Sequence, residues 1–139
     1  MTSEFVLDAS IAFAWVYPGQ ATPASEALLK LVESGTVAVV PPLWFLEVSN
    51  GLLIAQRRKL ISPVQRREAL DGLSALALVA DDADPRSAFG RTTTLAEQHG
   101  LSVYDAAYLE VALRRSIPLG SRNQALLAVA RQCGVAVVP

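Results

Sequence analysis

The chain is poor in the residues on which several common chemistries depend. Its single cysteine, Cys133, has no partner for an intrachain disulfide, which fits a reducing, cytoplasmic setting. Cys133 precedes Gly134 at a predicted helix ending, a position that points to packing. The one histidine, His99, stands beside Gly100 at another predicted helix end, where it reads as a carboxyl-terminal cation or cap. A Ser-His-Asp hydrolase would have to draw on that residue, so this class is set aside. The only lysines, Lys30 and Lys59, lie in or at the end of helices, which argues against a phosphoacceptor receiver domain with its lysine after a late strand. The first strand-to-helix turn, Asp8-Ala9-Ser10-Ile11, holds no glycine, and that removes the dinucleotide and triphosphate fingerprints. No apolar run is long enough to span a bilayer, and Met1-Thr2-Ser3-Glu4 lacks the basic start of a signal peptide. The expectation is a soluble protein with no membrane partner. A formal net charge of −1 gives no bulk attraction to nucleic acid, so a polyanion would have to be met by a local patch or by a metal.

What the chain does have is a regular alternation. Its 139 residues suit one domain with a real core. Short β-rich runs are predicted over 5–8, 36–41, 78–80, 118–121 and 135–138. Helices are predicted over 10–17, 23–34, 42–59, 63–76, 85–99, 103–116 and 123–133, several with clear start signals such as Ser62-Pro63 and Ser102. Apolar strands alternating with helices predict a three-layer α/β/α sandwich around a central parallel sheet. Functional residues in such sheets gather beyond the carboxyl ends of the strands, where Asp8 and Arg122-Asn123 fall. Basic clusters at Arg57-Arg58-Lys59, Arg66-Arg67 and Arg114-Arg115 lie near predicted helix ends and read first as solvated or dipole-complementing charges.

Three acids interrupt stretches that otherwise read as buried: Asp8 after Phe5-Val6-Leu7, Glu47 within Leu43-Trp44-Phe45-Leu46-Glu47-Val48, and Asp105 within Ser102-Val103-Tyr104-Asp105-Ala106-Ala107-Tyr108-Leu109. Acids avoid the interior unless paired, protonated or bound to a cation. Each has an ordinary alternative. Asp8 reads equally as a helix cap, and Ser102 to Asp105 matches a capping box. Glu47 has no cation at helical spacing, which leaves a tertiary salt bridge. Together, however, three converging carboxylates would invite a hard divalent cation, and that chemistry suits phosphodiester hydrolysis. Zinc is disfavoured by the absence of neighbouring His and Cys. Trp44 and Phe45 are expected mostly in the core, and Leu52, Leu53 and Ile54 either as buried helix or as an apolar face for a partner.

The order of these blocks adds to their meaning. Phe5-Val6-Leu7-Asp8-Ala9-Ser10, Phe45-Leu46-Glu47-Val48, the run from Gly100 through Asp105 to Glu110, and Pro118-Leu119-Gly120-Ser121-Arg122-Asn123 follow one another along nearly the whole chain. In this the sequence resembles the PIN-domain ribonucleases, in particular the VapC-like toxins of bacterial toxin–antitoxin pairs. The resemblance implies a single PIN-like domain over 1–139 and a Mg²⁺- or Mn²⁺-dependent endoribonuclease. Asp8, Glu47 and Asp105 fall on the family's metal-site acids: Asp8 and Asp105 as ligands, Glu47 as a further ligand or the group orienting the nucleophilic water. Ser10 and Ser121 are candidate supporting hydrogen-bond partners, with helix capping the ordinary reading of Ser10. The resemblance also implies an RNA substrate, a homodimer and a small antitoxin covering the acidic site. One position departs from the pattern. Where the family carries a fourth acid, this chain has Asn123, which keeps an acceptor oxygen but removes a charge. The alternative is a catalytically weak PIN-like domain that binds RNA or a protein partner.

Overall fold

The computed structural model describes residues 3–17 and 19–139; Met1 and Thr2, part of the stretch read for a leader, and Pro18 lie outside them. Four strands, β1 (Glu4–Leu7), β2 (Val37–Val40), β3 (Leu78–Ala80) and β4 (Leu119–Gly120), form one sheet in the order β3-β2-β1-β4. All pairings are parallel, with Val6 opposite Val39 on one side and Leu119 on the other. β1 is therefore central, and Phe5, Val6 and Leu7 are buried on both faces, as a sheet covered by helices on each side requires. Among the described residues, no helix is long and apolar enough to cross a membrane.

Among the described residues, seven α-helices supply the outer layers: α1 (Ala9–Val16), α2 (Pro23–Glu33), α3 (Leu43–Arg57), α4 (Pro63–Ser74), α5 (Arg91–His99), α6 (Val103–Arg115) and α7 (Gln124–Gln132). The three-layer sandwich with its parallel sheet is the arrangement expected from the alternation of the sequence. Local chemistry starts the helices where expected. At α4 the Ser62 hydroxyl accepts from the Gln65 N–H at 3.1 Å while the Gln65 side chain accepts from the Ser62 N–H at 2.8 Å, with Pro63 at the first turn.

Two helices that carry the site are held by a close crossing. Gly51 in α3 faces the Phe13 ring of α1, and a Cβ there would overlap that ring. The Tyr17 hydroxyl donates to the Gly51 carbonyl at 2.8 Å, and Phe13 and Tyr17 stack with centroids 5.4 Å apart. This contact fixes α3, and with it Glu47, against the helix that follows Asp8.

Several expectations change. The predicted helix over 85–99 is broken at Gly90 into a 3-10 turn (Pro85–Phe89) and α5, because Gly90 adopts φ −112°, ψ −98°, outside the helical region. The predicted closing strand over 135–138 is reduced to a single bridge between Val137 and Leu119. Trp44 is core, yet Phe45 is 43% exposed, because neighbouring helical positions point about 100° apart. Leu52 is fully buried whereas Ile54 is partly exposed, and the more exposed apolar side chains are Leu46, Leu60 and Phe89. Arg114 and Arg115 are not solvated caps. They bind Asp81 at 2.6 and 2.7 Å, and Asp81 is a buried acid just past β3. Arg114 also pairs with Glu110 at 2.8 Å. This network ties the end of α6 to the sheet.

Candidate active site

Four separate segments bring polar side chains to the carboxyl edge of the sheet. Asp8 follows β1 directly, and its backbone N–H donates to the Gly120 carbonyl at 2.9 Å. Its backbone occupies the cap position of α1, but its side chain makes no capping bond. Instead Oδ2 accepts from the Ser121 hydroxyl at 2.6 Å and from the Ser10 hydroxyl at 2.8 Å. Ser10 is thus no helix cap. Its oxygen in turn accepts from the Arg122 N–H at 2.9 Å, which joins the start of α1 to the turn after β4.

Asp105 realises only half of the capping box. The Ser102 hydroxyl accepts from the Asp105 N–H at 3.0 Å, but the carboxylate does not return to the cap. It accepts from Nδ2 of Asn123 at 3.2 Å. Asn123 caps α7 with its other atom, since Oδ1 accepts from the Leu126 N–H at 3.2 Å. Its side-chain amide can satisfy both partners in only this orientation. The acceptor oxygen expected to be available at the site is therefore engaged in capping, and the side chain meets Asp105 as a neutral donor.

Glu47 has no salt-bridge partner among the described residues. Its Oε1 accepts from the Tyr108 hydroxyl at 2.9 Å. Tyr108 is a functional candidate that its apolar run conceals. The available signal was its position three residues after Asp105 on α6, which places both on one helix face. Among the described residues, Trp44 Nε1 is the only buried side-chain polar atom without a partner, so the oxygens of all three acids are either bonded or reached by solvent.

Asp8 and Glu47 feel the charges around them. Burial pushes the Asp8 carboxyl above its ordinary range, the two serine hydroxyls pull it down, and the charge of Asp105 raises it further. Glu47 is likewise raised, first by desolvation and then by Asp8 and Asp105, against the lowering bond from Tyr108. The Tyr108 hydroxyl is driven well above its ordinary value by burial and by the nearby charges of Glu47 and Asp8. Such repulsion among oxygen donors is what a divalent cation relieves. The described residues nevertheless contain no group of three His, Cys, Asp or Glu side chains close enough to cage an ion. The donor set therefore fits a hydrated hard cation, held by one or two carboxylates with water filling its shell, rather than an all-protein cage.

Comparisons with known proteins identify the family and the fold. The PIN domain model matches residues 5–132. No curated protein sequence matches the chain. Among solved structures, PAE2754 from Pyrobaculum aerophilum superposes with a TM-score of 0.67 at 22% identity, over 92% of this chain and 85% of that one. VapBC2 from Rickettsia felis, bound to a DNA fragment from its promoter, gives 0.68 at 16% identity over 96% of each chain. A toxin–antitoxin complex from Klebsiella pneumoniae gives 0.58 at 18% identity over 86% of each. The match from the first strand into the last helix takes in every residue of the acidic edge, and the chain belongs to the PIN-domain family.

Proposed function

We propose that the protein is a metal-dependent endoribonuclease that hydrolyses RNA phosphodiester bonds at the acidic edge and acts as the toxin of a toxin–antitoxin pair. The observation that carries this reading is that Asp8, Glu47 and Asp105 are each held by neutral hydrogen-bond donors and, among the described residues, none of them pairs with a cation. Asp8 and Asp105 would hold Mg²⁺ or Mn²⁺, with Glu47 a further ligand or the group that orients the nucleophilic water. When bound, the cation supplies Lewis-acid polarisation of a phosphoryl oxygen and a more acidic water. The remaining work falls to the chain. Ser10 and Ser121 aim Oδ2 of Asp8, Tyr108 aims Oε1 of Glu47, and Asn123 restrains Asp105. A cytoplasmic homodimer and a small antitoxin seated over the acids complete the proposal. The partner half is supported by the likeness to VapBC2 and to the Klebsiella toxin–antitoxin complex.

One observation favours a second reading, a catalytically weak domain that binds RNA or a protein. Asn123 offers neither a charge nor a free acceptor to the site. Both readings meet the same experiment: purified protein is incubated with RNA and Mg²⁺ or Mn²⁺, alongside a chelated control and the Asp8→Asn variant. Cleavage that needs the metal and vanishes in the variant supports the nuclease. RNA left intact under every metal condition, by a protein that still binds it, selects the second reading. Light scattering of the protein, alone and with the product of any adjacent short reading frame, tests the dimer and the antitoxin.

A further inference from the structure

Arg86, Arg91, Arg114 and Arg115 are each paired with acids, whereas Arg122 makes no ion pair among the described residues. Its guanidinium donates through Nη1 to the neutral amide oxygen of Gln20 at 3.2 Å, an acceptor that orients the group without neutralising it. The backbone beneath it is pinned, since the Arg122 N–H donates to the Ser10 hydroxyl oxygen. Its chain neighbours are Ser121, which donates to Asp8, and Asn123, which donates to Asp105. Consecutive Cα atoms are about 3.8 Å apart, so the Arg122 backbone stands between the two residues that hold the two acids, while its exposed, uncompensated guanidinium turns to Gln20. The other cations without an ion pair among the described residues lie elsewhere in the chain: Lys30 and Arg131 in the last turns of α2 and α7, Arg57 to Lys59 at the end of α3, and Arg66 and Arg67 in α4.

We infer that Arg122 binds a backbone phosphate of RNA at the rim of the acidic edge, an assignment that rests on the proposed nuclease reading. Two features support it. The guanidinium fork presents parallel N–H donors that match the oxygens of a phosphodiester, and Nε and Nη2 have no partner among the described residues. A polyanion approaching three carboxylates also meets repulsion, and a cation carried on the segment that holds two of them offsets part of it. Arg122 is thereby a substrate-binding group.

The test is fluorescence anisotropy of a labelled single-stranded RNA with the full chain in Ca²⁺ buffer, titrated over several KCl concentrations, with a gel confirming that the RNA stays intact. Arg122→Ala is expected to bind roughly fivefold more weakly at low salt, and its log affinity should depend less steeply on log salt by about 0.7, the signature of one lost phosphate contact on a single strand. Arg122→Lys should recover part of the affinity. Arg131→Ala, at the far end of the helix that Asn123 begins, should change neither quantity. Thermal melting of each variant monitors the fold. If wild type binds and Arg122→Ala binds equally, or if Arg131→Ala loses as much, the assignment of Arg122 is overturned and the nuclease reading stands. If wild type binds no RNA, the assignment of Arg122 falls, and the nuclease reading is decided separately by the metal-dependent cleavage assay.

Discussion

Tyr108 donates its hydroxyl hydrogen to Glu47 at 2.9 Å across the space between α6 and α3. The tyrosine is fully buried, so its ring holds the hydroxyl in place, while the glutamate stands half-buried at the start of its helix. A rigid donor thereby sets the direction of a carboxylate that its own helix leaves without a partner.

Tyr108→Phe should keep the packing and lose this bond. Urea denaturation is expected to show a loss of about 1 kcal/mol, the usual scale for one hydrogen bond whose acceptor water can still reach. Because the bond lowers the Glu47 pKa, the carboxyl should titrate at higher pH in the variant. Carbon-detected NMR of the glutamate side chain reads that directly, and an unchanged titration would mean that Tyr108 is packing alone.

Asp8 and Glu47 are raised in the folded protein, the reverse of the usual carboxylate case. Between the unfolded carboxylate value near 4 and the raised folded values, the native state binds more protons than the unfolded state. The contribution of these acids to stability therefore falls as pH rises through that window. Asp8→Asn should melt above wild type at pH 7 without metal, and the difference should shrink as the pH is lowered past 4. Equal melting temperatures at both pH values would contradict the raised value.

Asp81 should behave in the opposite sense. Desolvation by its burial raises it, but the bonds from Arg114 and Arg115 outweigh that and hold its carboxyl below the ordinary range. Its contribution is present above the unfolded value and is lost as pH falls through the folded one. Asp81→Ala is expected to cost about 2 kcal/mol in urea at pH 7, less than a fully buried pair because both arginines keep 25% of their side-chain surface exposed. The penalty should fade at strongly acidic pH.

Asn123→Asp should preserve the α7 cap, since aspartate caps as well as asparagine. It should also replace the donor facing Asp105 with a second negative charge. The variant is expected to melt below wild type in chelator and to bind Mn²⁺ roughly tenfold more tightly by calorimetry, because a carboxylate adds charge beside the cation. Nuclease activity should rise with it. Unchanged metal affinity in a folded variant would place Asn123 outside the metal's reach.

The class of fold, and the positions of Asp8, Glu47 and Asp105 within apolar runs, are legible along the chain. Apolar runs such as Phe5-Val6-Leu7, start signals such as Ser62-Pro63 and the regular alternation act through backbone hydrogen bonding and periodicity, which are short-range and readable along the chain. An acid placed in an apolar run is visible in the same way. Partners are different. Tyr108 meets Glu47 across 61 positions, Arg114 meets Asp81 across 33, and Asn123 draws Asp105 out of a capping box that its spacing alone would have closed. Phe45 turns outward while Trp44 beside it turns in, and Gly90 divides a stretch that reads as one helix. These contacts follow from the packed fold, because the energy of a buried charge or hydroxyl depends on which side chains the folded chain brings within about 3 Å, and no local spacing encodes that.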